Sequence, residues 1–172
     1  MPTTRTEAAS IRPARPHDLA PLAAIYDHYV ANTAITFDLE PFGVEGRRPW
    51  LAEFADHGRH RLFVADVGGE AVGYASSHAF RPRGAYATSV ETSIYLAPAW
   101  TGNGLGVRLY TALFDALASE DVHRAYAGIT LPNDASLALH ARFGFERVGA
   151  FHEVGFKHGR YWDVVWLEKR LR

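Results

Sequence analysis

Residues Ala97–Tyr110 read APAWTGNGLGVRLY. A β-rich segment stops at Pro98, glycines stand at 102, 104 and 106, and an amphipathic helical pattern begins at once. Glycine has more backbone freedom to lose on folding than any other residue, so three at one joint sacrifice stability that alanine would keep. The joint therefore calls for an α/β arrangement whose loop needs bare backbone. The first N–H groups of a helix lack intrahelical partners, and the helix dipole adds partial positive charge, so this is a place for an anion. A tight turn with no ligand would use the same residues.

Two nucleotide motifs fail on spacing. A P-loop needs a Lys after its last glycine, and none follows here. A dinucleotide fingerprint needs G-x-G-x-x-G near the first strand, whereas this chain has G-x-G-x-G after several strands that look antiparallel.

Periodicity orders the rest. Ile11–Ala14 reads as a first strand, and Leu19, Leu22, Ile25, Tyr26, Tyr29 and Val30 recur at helical spacing behind Asp18. Val44, Trp50, Leu51 and Phe54 suggest a second helix stopping at Gly58. Arg61–Val67 and Glu70–Phe80 flank Gly68-Gly69 as a hairpin, Arg81–Ala85 is a loop, and Thr88–Leu96 is another strand. Val107, Leu109, Tyr110, Leu113, Phe114 and Leu117 trace a third helix before a strand at Ala125–Leu131. Asn133 or Asp134 caps a fourth helix that Gly144 ends, and Glu146–Phe156 and Tyr161–Leu171 close the chain around His158-Gly159. The order β α α β β β α β α β β, with no repeat and no internal linker, predicts a single α/β domain over residues 10–172 behind a loose tail at 1–9. Its mixed, mostly antiparallel sheet has about seven strands flanked by about four helices.

The 172 residues carry a net charge of −1, so nothing draws the chain electrostatically to nucleic acid or an anionic membrane. There is no cysteine, which excludes disulfides, thiolate metal sites and a Cys nucleophile and suits the cytoplasm. Residues 1–10 lack the apolar core of a signal peptide, and no apolar run approaches a membrane span. His57 and His60 have ligand-like spacing without a third partner, so no metal is expected.

The strand ending Ile94-Tyr95-Leu96, the loop Thr101-Gly102-Asn103-Gly104-Leu105-Gly106 and the helix after it resemble the acyl-CoA pyrophosphate loop of the GNAT superfamily of N-acetyltransferases. That motif is Gln/Arg-x-x-Gly-x-Gly/Ala, and Thr101 departs from its first position. LPNDAS (Leu131–Ser136), HARFGF (His140–Phe145), ETSIYLAP (Glu91–Pro98) and GFKHGRYWDV (Gly155–Val164) narrow the resemblance to the branch similar to phosphinothricin and methionine sulfoximine acetyltransferases. It covers the chain from Ile11 to Leu171.

The resemblance implies acetyl-CoA as co-substrate and direct transfer to the amine of a small amino-acid-like substrate. Backbone amides near Ile94–Leu96 would hold the oxyanion, the Thr101–Gly106 loop the pyrophosphate, and Asn133 the pantetheine arm in addition to capping its helix. Glu91 sits mid-strand among apolar residues, where a carboxylate is costly without a job or partner; it is either a solvent-facing strand residue or the base, or ammonium ligand, for the amine. His140 stands where many family members carry a Tyr acid for the leaving thiolate, and it is equally readable as a packing histidine. Arg81 or Arg83 would clamp a substrate carboxylate, and Phe37 and Tyr86 would wall the pocket. The aromatic final strand with Tyr161, Trp162 and Trp166 suggests a sheet edge that pairs in a homodimer. A protein N-terminus or lysine as substrate, or a non-catalytic acyl-CoA sensor, are the alternatives.

Overall fold

The computed structural model describes residues 9–172; most of the expected tail, residues 1–8, lies outside the described residues. Ala9 is already buried, and Arg108 donates to its carbonyl at 2.6 Å, so packing begins one residue before the expected boundary. The strands are β1 (Ser10–Pro13), β2 (Arg61–Val67), β3 (Glu70–Ala79), β4 (Ser89–Leu96), β5 (Arg124–Thr130), β6 (Glu146–Lys157) and β7 (Arg160–Arg170). The helices are α1 (Leu19–Asn32), α2 (Gly43–Leu51), α3 (Leu105–Leu117) and α4 (Asp134–Arg142).

Gly68 and Gly69, both at positive φ, turn β2 back onto β3, and β3 pairs antiparallel with β4 along its length. The seven strands lie in the order β1-β2-β3-β4-β5-β7-β6, and every pairing is antiparallel except β4 with β5. On α3, Leu105, Leu109, Tyr110, Leu113 and Leu117 form one fully buried stripe at helical spacing, which packs with the α4 residues Leu137 and Leu139 on one sheet face. Leu22 and Ile25 of α1 and Trp50 of α2 pack on the other face against Leu62, Val64 and Tyr74.

The β4–β5 pairing covers only Ser89–Glu91 against Arg124–Tyr126. Beyond it β4 stays with β3 while β5 stays with β7, so the two strands fork. The Thr92 hydroxyl, one residue past the last pair, donates to the Tyr126 carbonyl at 3.3 Å and ends the ladder.

The structure departs from expectation in three places. The second helix stops at Leu51 rather than near Gly58, because Pro49 lies inside its last turn and no helix continues easily past it. Gly102 and Gly104 adopt positive φ with open space around them, as a bare loop requires, but Gly106 does not. It lies in the first turn of α3, where a Cβ would make ordinary contact with Leu139 at 3.4 Å and Ile94 at 3.6 Å, so neither backbone conformation nor space requires glycine at this third position. The last strand is not an edge: the turn at His158-Gly159 inserts β7 between β5 and β6, and β6 is the outer strand.

Candidate active site at the strand fork

A cavity of about 420 Å3 threads the fork from one sheet face to the other. On the α1–α2 side it is walled by Phe37, Arg47, Trp50, Tyr74, His78 and Glu91; at the fork by Ser93–Tyr95 and 127–130; on the far side by Tyr110, Asn133, Ser136 and His140. Strand alternation explains the near wall. Register places Tyr74 opposite Tyr95, Ser76 opposite Ser93 and His78 opposite Glu91, and all six point to the same face. Phe37 is seated against Gly155, where a Cβ would meet its ring at 2.2 Å. The segment carrying Phe37 is tied down by Lys157, whose ammonium donates to the Thr36 carbonyl at 2.8 Å.

Burial raises the Glu91 carboxyl above its ordinary range, and the Arg81 charge pulls partly the other way. His78, across the ladder, is pushed down to about 4 by burial, with His60 and Arg47 acting in the same sense, so it is neutral at pH 7. Glu91 is thus a carboxylate of enhanced basicity beside an uncharged imidazole.

On the far wall the Asn133 side-chain carbonyl accepts the Ser136 N–H at 3.1 Å, capping α4 and leaving its NH2 group. His140 is buried and held below its ordinary pKa. Its Nδ1 lies 2.7 Å from the Ser136 carbonyl, which can only accept, so Nδ1 carries the proton and Nε2 accepts from the Tyr110 hydroxyl at 2.9 Å. In this arrangement a neutral His140 directs its own proton to the Ser136 carbonyl and its other nitrogen to Tyr110. Tyr110 in turn stands 3.4 Å from the Thr92 hydroxyl at the fork.

The loop Thr101–Gly104 is exposed at the N-terminus of α3, outside the cavity lining, and Leu105 is buried in the core beneath it. The Thr101 hydroxyl donates to the Pro98 carbonyl at 2.9 Å, so this side chain serves the turn. Ile94 connects the loop to the fork, lining the cavity and touching the Gly106 position. Leu96 lies outside the cavity, its carbonyl accepting the Tyr29 hydroxyl at 2.7 Å. A phosphate-bearing thioester fits this arrangement: bare, left-handed glycines at a helix start for the phosphates, and a fork of diverging strands for a slender amide-bearing arm.

Arg81, Arg83 and Tyr86 are placed elsewhere. The Arg81 guanidinium lies 4.3 Å over the Phe80 ring and donates to the Phe80 carbonyl, in a separate groove with Tyr126, Phe151 and Trp166. Arg83 is exposed ahead of the short 3-10 turn Gly84–Tyr86, and Tyr86 is exposed with its ring edge-on to Phe80. Stacking on Phe80 holds Arg81 on the β6 side, away from the cavity lining. Among the cavity residues that the sequence did not single out are Arg47, Tyr74, His78 and Tyr110. Tyr74, Ser76 and His78 alternate on β3 as Glu91, Ser93 and Tyr95 do on β4, and that signal was available. Arg47 gave none, since its helix reads GVEGRRPWL and looks solvent-facing.

Residues 11–166 match the acetyltransferase (GNAT) domain family. The chain is 55% identical over 168 residues to a phosphinothricin N-acetyltransferase of Streptomyces coelicolor, covering 96% of this chain and 98% of the relative. It is 37% identical over 164 residues to an L-methionine sulfoximine/L-methionine sulfone acetyltransferase of Pseudomonas aeruginosa, covering 95% of each. The solved phosphinothricin acetyltransferase of Sinorhizobium meliloti in complex with acetyl-CoA superposes with a TM-score of 0.89 at 33% identity, covering 95% of this chain and 88% of that one. The chain belongs to the GNAT acetyltransferases. It is an N-acetyltransferase that uses acetyl-CoA.

The buried imidazoles set a pH dependence. Both His78 and His140 bind protons less readily folded than unfolded, so as pH falls below about 6.5 the unfolded chain takes up protons first. Their contribution is complete above that pH and is lost as pH falls, that of His78 toward about 4. Urea unfolding between pH 7 and 4.5 should show a progressive loss of stability, up to about 3 kcal/mol from His78 alone. The slope should flatten in His78→Asn; an identical slope in the variant contradicts the assignment.

Proposed function

We propose that this enzyme transfers acetyl from acetyl-CoA to the amine of a small amino-acid-like substrate of the phosphinothricin or methionine sulfoximine and sulfone type. The observation that carries the reading is Glu91: a carboxylate of raised pKa, lining an open cavity at the point where β4 parts from β5. The names of the relatives support the substrate class, and a cavity of about 420 Å3 suits a small amine.

Acetyl-CoA supplies an activated acyl group when bound. We assign Gly102, Asn103 and Gly104 with the first amides of α3 to its phosphates, and Asn133 with the open β4 edge at Ile94 and Tyr95 to its arm and carbonyl. An amine is protonated at pH 7 and is no nucleophile until a proton leaves, and Glu91 receives that proton, directly or through one water. His140 fixes the direction of the Tyr110 hydroxyl at the fork rather than donating a proton itself.

We also infer a homodimer formed through β6. Val148, Phe151, Val154 and Phe156 on this outer strand, with Tyr161 beside them, are each more than half exposed. Next to them lies the groove of about 260 Å3 containing Arg81 and Trp166. An open strand edge with a contiguous apolar surface favours pairing with a second copy. The lack of cysteine and of any helix among the described residues long and apolar enough to cross a membrane fits a cytoplasmic enzyme.

Glu91→Gln keeps the shape and removes the charge. Acetyl-CoA affinity by calorimetry should hold while kcat/KM for L-phosphinothricin or L-methionine sulfoximine falls about 10²–10⁴-fold. The deficit should shrink as pH rises and free amine accumulates. Turnover near that of the unaltered enzyme, with the same pH profile, would remove Glu91 from the chemistry. For the dimer, light scattering should give twice the 19.1 kDa of one chain and Phe151→Asp should lower it; a mass of one chain at micromolar concentration contradicts it.

A further inference from the structure

Three buried side-chain atoms lack a hydrogen-bond partner among the described residues: Arg47 Nε, Tyr74 Oη and His78 Nδ1. All three side chains line the cavity that holds Glu91. Other interior polar groups are matched: Asp18 takes Arg12 and the Arg15 N–H, and Tyr26 is bonded to Thr36 and Asp38. Unpaired buried polar groups are costly and rare, so three around one cavity point to a ligand that pairs them.

Their placement defines what that ligand carries. Arg47 is 92% buried, and its guanidinium carbon lies over two rings, 4.1 Å from the centre of Tyr26 and 3.8 Å from that of Trp50. With its Nε unpaired, this planar fork of N–H donors is matched to a two-oxygen anion. No ion pair to Arg47 forms among the described residues. Trp50 packs on the Tyr74 ring at 5.4 Å, so the phenol and the guanidinium share one wall. His78 lies four residues along β3, on the same face and opposite Glu91. The cavity thus has a carboxylate at one end of the β3–β4 face and a buried cation at the other. An amino acid carries the complementary pair of charges.

We propose that Arg47 and Tyr74 form an oxyanion-binding subsite that holds an anionic oxygen group of the substrate while Glu91, with His78 opposite it, holds the amine. The inference rests on the amino-acid acetylation reading, and it moves the anion clamp from Arg81 and Arg83 to a residue that lines the cavity. The group held is the α-carboxylate or the oxygens of the side-chain head, and the choice of ligands separates them.

The test is binding by calorimetry to the acetyl-CoA-loaded protein, with turnover measured alongside. L-Phosphinothricin offers a carboxylate and a phosphinate, its decarboxylated analogue only the phosphinate, and L-methionine only the carboxylate. Arg47→Met should weaken L-phosphinothricin binding about ten- to a hundredfold with acetyl-CoA affinity unchanged. Tyr74→Phe, which deletes one hydroxyl and keeps the packing should Arg47→Met fail to fold, should weaken it several-fold. Loss of the Arg47→Met effect with the decarboxylated analogue assigns the carboxylate to the subsite; loss of the effect with L-methionine assigns the phosphinate. Equal weakening of all three ligands, unchanged affinity in both variants, or no binding by the unaltered protein overturns the proposal. Binding without turnover in the unaltered protein would instead remove the acetylation reading and leave the subsite standing.

Discussion

The parallel pairing of β4 with β5 stops after three residues, and the rest of the site depends on where it stops. Strand edges inside a fold normally consume each other's N–H and C=O groups. Here β3 holds β4 and β7 holds β5 along their outer edges, so the inner edges part without either strand being lost. The opening is set at Thr92, whose hydroxyl closes the ladder against Tyr126. Glu91 is the last residue of β4 paired with β5, which places a carboxylate at the point where the sheet opens. The packing of α3 and α4 against one face, and of α1 and α2 against the other, leaves the fork as the passage between two chemically different walls.

Those walls explain why the site is stable while breaking ordinary rules of burial. On the far side the polar groups are paired in a line: the Ser136 carbonyl, His140 and Tyr110, with Thr92 paired separately to the Tyr126 carbonyl. On the near side Arg47, Tyr74 and His78 each keep a polar atom unpaired. The surrounding structure supports this cost through a well-filled core, including the α3 stripe and the aromatic cluster of Tyr26, Tyr29, Tyr74 and Tyr95. Departures of this kind from internal consistency mark functional sites.

Local pattern carried the element order and the position of Glu91. The Gly68-Gly69 turn, the helical spacing on α3 and the cap at Asn133 are local signals, and each appears in the structure where its residues stand. A carboxylate in an apolar strand is likewise visible without a fold. Non-local facts were not legible. Nothing in Tyr161–Leu171 says that it inserts beside β5 and leaves β6 outside, because strand order depends on pairing between distant segments. Gly106 looked like the other two glycines of its loop, and only the folded backbone shows that it lacks their left-handed conformation. Arg47 lies in a charged stretch whose burial is created by Tyr26 and Trp50, while Arg81 and Arg83 looked suitable by type and sit elsewhere.

The central claim is that the fork is the slot for the acyl chain, and amide exchange tests it most directly. Fork-facing N–H groups of residues 92–96 and 127–130 have no ladder partner in the free protein, so they should exchange readily there. Adding acetyl-CoA should slow exchange at those amides and at the start of α3, while β2 and the outer part of β3 stay as they were. Binding of acetyl-CoA by calorimetry with no change in exchange on either side of the fork would contradict the account.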